Sequence, residues 1–187
     1  YIMTLTKTPI CDFGKKAEDF KLKSINNKLI SLEDIKGKNG TLIVFICNHC
    51  PYVKAIIKDL VEDCKYLFNQ GIESVAIMSN DVKKYSEDSF ENMIKFGNNN
   101  KFDNLEYLLD ETQEVAKKYS AVCTPDFFGY NQHLELQYRG RFKELKNLKP
   151  IKNGDSDLKK AMYMIAKTQK GPKNQTPSMG CSIKWFN

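Results

Sequence analysis

The sequence predicts an α/β fold in which a mixed central β-sheet is flanked by helices, with a β-hairpin in its N-terminal part. Two short apolar runs, "TLIVFI" and "SVAIMS", have the composition of strands that are buried on both faces. The segment between them places apolar residues at helical spacing, as in one long amphipathic helix. A chain of 187 residues is long enough to bury a core, so we expect residues 1–187 to form a single three-layer α/β domain.

The N-terminal half is predicted to contain the hairpin, the first buried strand and the long helix. "AEDFKLKSINNKLISL" is the hairpin, and its turn "INNK" suits asparagine, which tolerates positive φ. "TLIVFI" follows as the central strand. The helix ends before Gly71. Its apolar face consists of Val53, Ile56, Ile57, Leu60, Val61, Cys64, Leu67 and Phe68.

Shorter elements follow in the order helix, strand, helix. "SVAIMS" is the second buried strand, and the polar stretch "SNDVKKYSEDS" after it is predicted to be a loop. Phe90, Met93 and Ile94 indicate a helix, and "LEYLLD" a strand. Asp110 and Gln113 resemble a capping box that opens the helix "ETQEVAKKYS".

The C-terminal part is predicted to contain a hairpin, a helix and a tail. "DFFGY" and "LELQYRG" flank "NQH" as the hairpin, and the helix runs from residue 155 or 156 to residue 167. Residues 171–187 are turn-rich, but Ile183, Trp185 and Phe186 are apolar enough to require burial. We therefore expect this tail to pack on the domain.

Composition and charge narrow the possible functions. The net charge is +6, but the lysines are scattered singly or in pairs, as on a solvated surface rather than a nucleic-acid stripe. No apolar run approaches the roughly 18 residues of a membrane span, and the first residues lack the layout of a secretory signal. The six cysteines are too sparse for a disulfide scaffold. We expect a cytoplasmic protein that binds neither nucleic acid nor membrane.

The stretch "FICNHCPYVK" contains Cys47 and Cys50 in a C-x-x-C spacing, which suits a redox switch, half a metal site or two buried thiols. Pro51 favours the first turn of a helix, because the amide at that position has no intrahelical partner. Cys50 is therefore predicted at the N-cap, where unpaired amides and the helix dipole favour a thiolate. Cys47 lies earlier, in the connecting loop. Cys50 is the predicted nucleophile.

Several motifs together resemble the peroxiredoxin-like branch of the AhpC/TSA (redoxin) superfamily, whose members have the thioredoxin fold and are often labelled thiol–disulfide isomerases or thioredoxins. The matching stretches are "AEDFKL", "LEDIKG", "CNHCPYVK", "SND", "YSEDSFENM", "LLDETQEVAKKY", "VCTPDFFGY", "YRGR" and "PSMGCSIKW". The resemblance implies a thioredoxin-like sandwich in which Pro125 is a cis-proline facing the active-site sulfur. It also implies that Thr124 offers its backbone to an extended substrate.

At the active-site motif the sequence differs from both the thioredoxins and the peroxiredoxins. When Phe45 and Lys54 are aligned on the thioredoxin motif, Cys50 takes the position of the first cysteine and Val53 that of the second. The peroxide-attacking cysteine of peroxiredoxins falls at the same position as Val53. The partner that resolves an intermediate on Cys50 must therefore come from elsewhere in the chain.

Three cysteines are candidates for this resolving role. Cys47 is the first choice because a loop rearrangement is enough to bring it to Cys50. Cys123 precedes the threonine–proline pair, and Cys181 belongs to the tail motif.

Two basic side chains are candidates for supporting the thiolate. His49 lies within the motif, and Lys54 matches the lysine that follows the thioredoxin motif.

These residues predict a cofactor-free, thiol-dependent oxidoreductase with antioxidant or thiol–disulfide exchange activity. The Cys50 thiolate attacks a protein disulfide or a peroxide O–O bond, and a second cysteine resolves the product. An external thiol reductant then restores the reduced enzyme. Members of the superfamily often dimerise, so the resemblance implies a homodimer as one available assembly.

Two other function classes stay open. The first is a copper- or zinc-binding protein that uses Cys47, His49 and Cys50. Pro51 follows at once and a second C-x-x-C is missing from the sequence, which disfavours a closed tetrahedral zinc site. The second is a redox-silent interaction module, since a fold does not determine a function.

Four other residues are assigned structural roles. Buried cysteine is common, so Cys11 and Cys64 are expected to be inert. Arg139 and Arg141, in "YRGR", are expected to form an exposed pair at a sheet edge, with contact to an anionic substrate as the alternative.

Overall fold

Twelve strands and four α-helices are formed by residues 4–9, 12–151 and 153–186, which the computed structural model describes. Cys11 lies outside the described residues. The strands are β1 (Leu5–Lys7), β2 (Lys21–Ser24), β3 (Leu29–Ser31), β4 (Gly40–Phe45), β5 (Ile72–Met78), β6 (Glu106–Leu109), β7 (Cys123–Thr124), β8 (Asp126–Asn131), β9 (Leu136–Tyr138), β10 (Leu145–Lys146), β11 (Lys149–Pro150) and β12 (Met179–Ser182). The helices are α1 (Pro51–Phe68), α2 (Phe90–Asn99), α3 (Glu114–Lys118) and α4 (Asp157–Thr168), with 3-10 helices at Glu33–Ile35 and Ser86–Asp88. None of the helices in these ranges combines the length and apolar character of a membrane span.

Seven of these strands form the central sheet, in the order β3-β2-β6-β5-β4-β8-β9. β4 and β6 run parallel to β5, whereas β8 runs antiparallel to β4. The prediction of a mixed sheet is confirmed. β4 lies between β5 and β8 and is buried along its whole length, which explains why "TLIVFI" has no polar alternation.

Helices cover both faces of the central sheet, as the fold-class prediction requires. Successive side chains of a strand point to opposite faces. Leu42 and Val44 of β4 therefore share one core with α1, α2 and α4. Ile43 and Phe45 share the other core with α3 and the 3-10 helix at 33–35. The predicted N-terminal hairpin, β2–β3, lies at the edge of the sheet, with Asn27 of its turn at φ +59°.

The C-terminal tail contributes a strand that the sequence did not predict. β12 lies between β1 and β7 in a second sheet. Ile183 is buried as expected, but the prediction was wrong for Trp185 and Phe186, which remain 37% and 42% exposed. The tail is anchored there by its backbone, because the Phe186 amide donates a hydrogen bond of 2.8 Å to the Gln113 side chain.

The predicted capping box of α3 is wrong. The helix begins only after Gln113, which has a φ of +64°. The Asp110 carboxylate accepts a hydrogen bond of 2.9 Å from the Ala116 amide, so it caps the helix from across a turn. The Gln113 side chain does not reach back to Asp110. It donates to the carbonyl oxygens of Ser79 and Lys184, at 2.7 and 2.8 Å, and thereby joins the end of β5 to the tail.

The prediction of an exposed arginine pair is wrong for Arg139. Its guanidinium donates to the Asp126 carboxylate at 3.0 Å and lies over the Phe128 ring, 4.4 Å from its centroid. Both charged side chains are almost excluded from water. Burial raises the pKa of the Asp126 carboxyl, and the charge of Arg139 opposes this rise. Because β8 and β9 belong to one hairpin, the two charges meet inside the fold.

Replacing Arg139 with methionine is expected to lower the free energy of unfolding by about 3–5 kcal/mol, because it leaves the Asp126 carboxylate buried without its partner. Urea unfolding followed by circular dichroism measures this loss. Arg141→Met is the matched control: Arg141 is partly exposed and pairs with Asp157 at 2.7 Å, so its loss is expected to cost about 1 kcal/mol or less. Equal losses in the two variants would contradict the prediction.

Candidate active site

The cysteine motif lies between the central strand and the first helix. β4 ends at Phe45 and α1 begins at Pro51. Cys50 is the N-cap residue, with extended backbone angles of φ −63° and ψ 123°, so its predicted position is confirmed. Cys47 and Cys50 are both buried, and Cys50 has no exposed surface at all. The local sequence therefore delivers one buried thiol to the positive N-terminal end of α1.

A second loop faces this helix terminus. The Thr124–Pro125 peptide bond is cis, as the resemblance implied. The Cys50 sulfur lies 3.1 Å from the Thr124 carbonyl oxygen, and the Cys47 sulfur lies 3.4 Å from the Thr124 hydroxyl. Thr124 thus contacts both cysteines of the motif.

The tail brings a third cysteine to the same place. β12 pairs antiparallel with β7, and Cys181 stands directly opposite Thr124. The sulfur atoms of Cys50 and Cys181 are 3.0 Å apart. Gly180 allows this close approach, because a Cβ at that position would collide with the Thr124 carbonyl. The fold therefore places Cys181, from the opposite end of the chain, in contact with Cys50.

The pKa values of the three clustered thiols are shifted in different directions. The hydrogen bonds between Cys50 and the sulfurs of Cys181 and Cys47 lower the pKa of Cys50, although burial opposes this shift. The hydrogen bond to Cys50 and burial raise the pKa of Cys47, and the charge of Asp88 raises it further. The same two causes raise the pKa of Cys181. Cys50 is therefore the most acidic of the three thiols, and the pKa values of the two thiols beside it are raised.

The other described cysteines lie outside this contact. The Cys123 sulfur is 3.5 Å from the Pro125 carbonyl oxygen. Burial raises the pKa of Cys123, and it raises that of Cys64, inside the core on α1, to about 12. Neither is poised as a nucleophile at neutral pH.

The two predicted supporting cations have different surroundings. The Nδ1 atom of His49 lies 2.7 Å from the Asp88 carboxylate, and the hydrogen bond to Asp88 raises the pKa of the imidazole. The Lys54 side chain is exposed, and its backbone amide donates to the Cys50 carbonyl oxygen at 3.0 Å. Electrostatic support of the Cys50 thiolate by Lys54 stays a prediction.

Asp88 is the site residue that sequence reasoning missed. It lies in the 3-10 helix Ser86–Asp88, within a stretch predicted to be a loop, and it is completely buried beneath the cysteine motif. Its surroundings depend on contacts with residues about forty positions earlier. The stretch "YSEDSFENM" belongs to the motifs that carry the family resemblance, which was the one available signal.

The donor set for a metal ion differs from the one predicted. Among the described residues, Cys47, His49 and Asp88 offer ligand atoms within 4.8 Å of one another. Asp88 accepts hydrogen bonds from the Asn48 amide and the Asn80 side chain, at 2.8 Å each. His49 is hydrogen-bonded to Asp88, and Cys47 is hydrogen-bonded to Thr124. These hydrogen bonds account for the positions of all three donors, so the cluster is explained by protein contacts alone.

Comparison with known proteins is decisive for the family. The sequence profile described as the AhpC/TSA family matches residues 13–144. The chain belongs to the AhpC/TSA family. Family membership and the geometry of Cys50 support a thiol-based redox function. No match was found among curated proteins.

Three solved structures are similar to this AhpC/TSA-family protein. An uncharacterized conserved protein from Geobacillus kaustophilus is 38% identical, with a TM-score of 0.93 over 98% of this chain and 97% of that one. A hypothetical protein from Sinorhizobium meliloti is 34% identical, with a TM-score of 0.89 over 97% and 98% of the two chains. The thioredoxin domain of a thiol-disulfide oxidoreductase from Bacteroides vulgatus is 17% identical, with a TM-score of 0.59 over 74% and 91%. This last likeness shows the thioredoxin fold.

Proposed function

We propose that the protein is a thiol–disulfide oxidoreductase in which Cys50 attacks a disulfide and Cys181 resolves the mixed disulfide. The observation that carries this proposal is the 3.0 Å contact between the two sulfurs, in which Cys50 has the lowered pKa and Cys181 the raised one. Cys50 can thus attack as a thiolate, and Cys181 stays protonated until the mixed disulfide has formed.

The sulfur chemistry proceeds in two exchanges. The Cys50 thiolate forms a bond to one substrate sulfur, the substrate S–S bond breaks, and the other substrate sulfur leaves with the electron pair. Cys181 then loses its proton and attacks Cys50, so that a Cys50–Cys181 disulfide forms and the second substrate thiol is released. Two equivalents of an external thiol then reduce the Cys50–Cys181 disulfide through a mixed disulfide and leave as a disulfide, which regenerates the reduced enzyme.

Cys181 is preferred to Cys47 as the resolving residue, although Cys47 was the first choice from sequence. Both thiols hydrogen-bond Cys50. Cys47 lies in the loop after the central strand, and its sulfur contacts the Thr124 hydroxyl at 3.4 Å. Cys181 lies on a strand that pairs with the Thr124 backbone, so it is presented to Cys50 as the cysteine of a bound peptide would be. Cys47 then serves as a hydrogen-bond donor to the thiolate.

Peroxide reduction is a second candidate, which the complete burial of Cys50 favours. A hydroperoxide is small enough to reach a covered sulfur. Its distal oxygen would be transferred to Cys50 as a sulfenic acid, with release of an alcohol or water. Condensation with Cys181 would release water and give the same disulfide.

A cavity that borders the cis-proline and the start of β12 is a suitable entrance for the reductant or the substrate. It has a volume of about 370 Å³ and borders Pro125, Tyr52 and Met179. Lys7 and Lys143 lie at its lining and give it a basic character. A thiol or disulfide with carboxylate groups fits such a surface.

The test of the proposed function is the pH dependence of alkylation at each cysteine, with mass spectrometry locating the label. Because the pKa of Cys50 is lowered, it is a thiolate above that value, and its rate should stay flat through neutral pH and fall only toward acid. Cys64 is the internal control. Its pKa is raised to about 12, so its rate should rise with pH throughout the neutral range.

Oxidation in the same experiment identifies the disulfide. After treatment with oxidised glutathione, a Cys50–Cys181 bond is expected. If Cys50 has the same pH profile as Cys64 and no disulfide forms, the proposal is wrong. A sulfenic acid that forms with hydrogen peroxide but no exchange with glutathione would favour the peroxidase candidate.

A further inference from the structure

A buried carboxylate beneath the cysteine motif has no part in the sulfur chemistry described above. Asp88 is completely excluded from water. One of its oxygens accepts the Asn48 amide at 2.8 Å. The other accepts the Asn80 side-chain amide at 2.8 Å and lies 2.7 Å from Nδ1 of His49. The 3-10 helix Ser86–Asp88 thus delivers a negative charge that is bonded directly to a residue adjacent to Cys50.

This contact determines which ring nitrogen of His49 is available. An ionised carboxylate only accepts hydrogen bonds, so Nδ1 carries the proton that faces Asp88. Nε2 is left for another partner. The ring stacks on Tyr85, with the centroids 5.7 Å apart and the planes 7° from parallel. The His49 side chain keeps 19% of its exposure, so the ring reaches solvent, whereas Cys50 has none.

The imidazole lies close to one sulfur of the cluster and interacts electrostatically with Cys50. The Cys47 sulfur, a His49 ring nitrogen and an Asp88 oxygen lie within 4.8 Å of one another. The charged or titratable groups around His49 are Asp88, Glu87, Cys47, Cys50 and, over the Tyr85 ring, Lys184. The hydrogen bond to Asp88 raises the pKa of His49, although burial opposes it. His49 therefore holds its second proton to a higher pH than an isolated imidazole does.

We propose that Asp88 is a positioning residue that holds His49 as the proton donor to the sulfur leaving the substrate disulfide. The inference rests on the proposed function. When Cys50 bonds to one substrate sulfur, the electron pair of the broken S–S bond stays on the leaving sulfur, which takes the Nε2 proton. His49 becomes neutral and regains a proton from solvent. Such help matters for an alkyl thiolate, which is a poor leaving group, and not for a weakly basic aromatic thiolate.

The test compares two probes in single-turnover reactions at neutral pH. Hydroxyethyl disulfide releases an alkyl thiolate, and dithiobis(nitrobenzoate) releases an aromatic one. Asp88→Asn keeps the size of the side chain but removes its charge. The rate with the alkyl probe is expected to fall about tenfold or more, whereas the rate with the aromatic probe should change by less than about twofold.

Two further variants separate proton donation from structural support. His49→Gln keeps a donor toward Asp88 but cannot act as an acid at neutral pH, so it should reproduce the selective loss even if D88N does not fold. Asp110→Asn is the matched control, because Asp110 is a buried carboxylate bonded to Ser79 and to amides of α3. In the D110N variant, the ratio of the rate with the alkyl probe to the rate with the aromatic probe should equal that of the unmodified protein.

Nuclear magnetic resonance gives a readout that does not depend on activity. The sequence has two histidines, so H49Q assigns the His49 imidazole signals, and His133 serves as the internal reference. D88N is expected to lower the titration midpoint of His49. Equal losses with both probes in H49Q, or no loss with either, would overturn the assignment. If the unmodified protein reacts with neither probe through Cys50, the proposed function itself fails, which is a distinct result.

Discussion

Replacement of Cys50 with serine is expected to lower the single-turnover rate with hydroxyethyl disulfide by at least about a thousandfold. A serine hydroxyl is not ionised at neutral pH and cannot form a stable bond to the substrate sulfur. The thiols around it compensate poorly, since burial still raises the pKa values of Cys47 and Cys181 after Cys50 is removed. Acid-quenched samples analysed by mass spectrometry report the mixed disulfide and the intramolecular disulfide directly.

The control for this variant is Cys64→Ala. Cys64 is a buried cysteine of the same helix, and it lies in the core among apolar side chains. Its removal is expected to cost some stability but to leave the rate within about twofold, since it does not belong to the sulfur cluster. A C50S protein that still forms mixed disulfides at a comparable rate would show that another cysteine is the nucleophile.

Replacement of Cys181 with serine is expected to trap the mixed disulfide on Cys50 and to lower multiple-turnover rates by about a hundredfold. The first exchange should persist, because Cys50 remains. The second exchange should fail, because the cysteine 3.0 Å away is gone. Intact-protein mass spectrometry should show one bound hydroxyethyl thiol per chain where the unmodified protein shows an internal disulfide.

A pair of variants at this position separates resolution from acidity. The hydrogen bond from Cys181 is the largest cause of the lowered pKa of Cys50. Serine keeps a hydroxyl donor, whereas alanine removes it, so C181A should also shift the alkylation profile of Cys50 to higher pH and C181S much less. Both variants should trap the mixed disulfide. If Cys47→Ser traps it and C181S does not, then Cys47 is the resolving residue, as the sequence first suggested.

The elements that could be predicted from sequence depend on neighbouring residues. The apolar run "TLIVFI" is a buried strand whatever its partners are, and Pro51 sets the start of a helix through its own backbone. The N-cap position of Cys50 follows from these two neighbours. The cis peptide bond before Pro125 followed from the family resemblance, and a proline was available there to adopt it.

The predictions that failed depend on distant parts of the chain. Gln113 was assigned to a capping box on local spacing, but it bonds Ser79 and Lys184. Arg139 was placed at an exposed edge, but it pairs with Asp126, which lies on the other strand of its hairpin, β8. Asp88 received no role, because the His49 and Asn48 groups that it bonds lie about forty residues earlier.

The sequence by itself determined the main α/β order of elements and the N-cap position of Cys50, the predicted nucleophile, because both follow from propensities and capping within a few residues. The loop that faces Cys50 followed from the family resemblance. Only the tertiary structure decided the partners of that nucleophile. β12 is a short strand with glycine and serine, and it shows no hydrophobic alternation that would reveal it. It forms because its backbone pairs with β1 and β7. That long-range pairing carries Cys181 to Cys50, just as folding of the 3-10 helix carries Asp88 to His49.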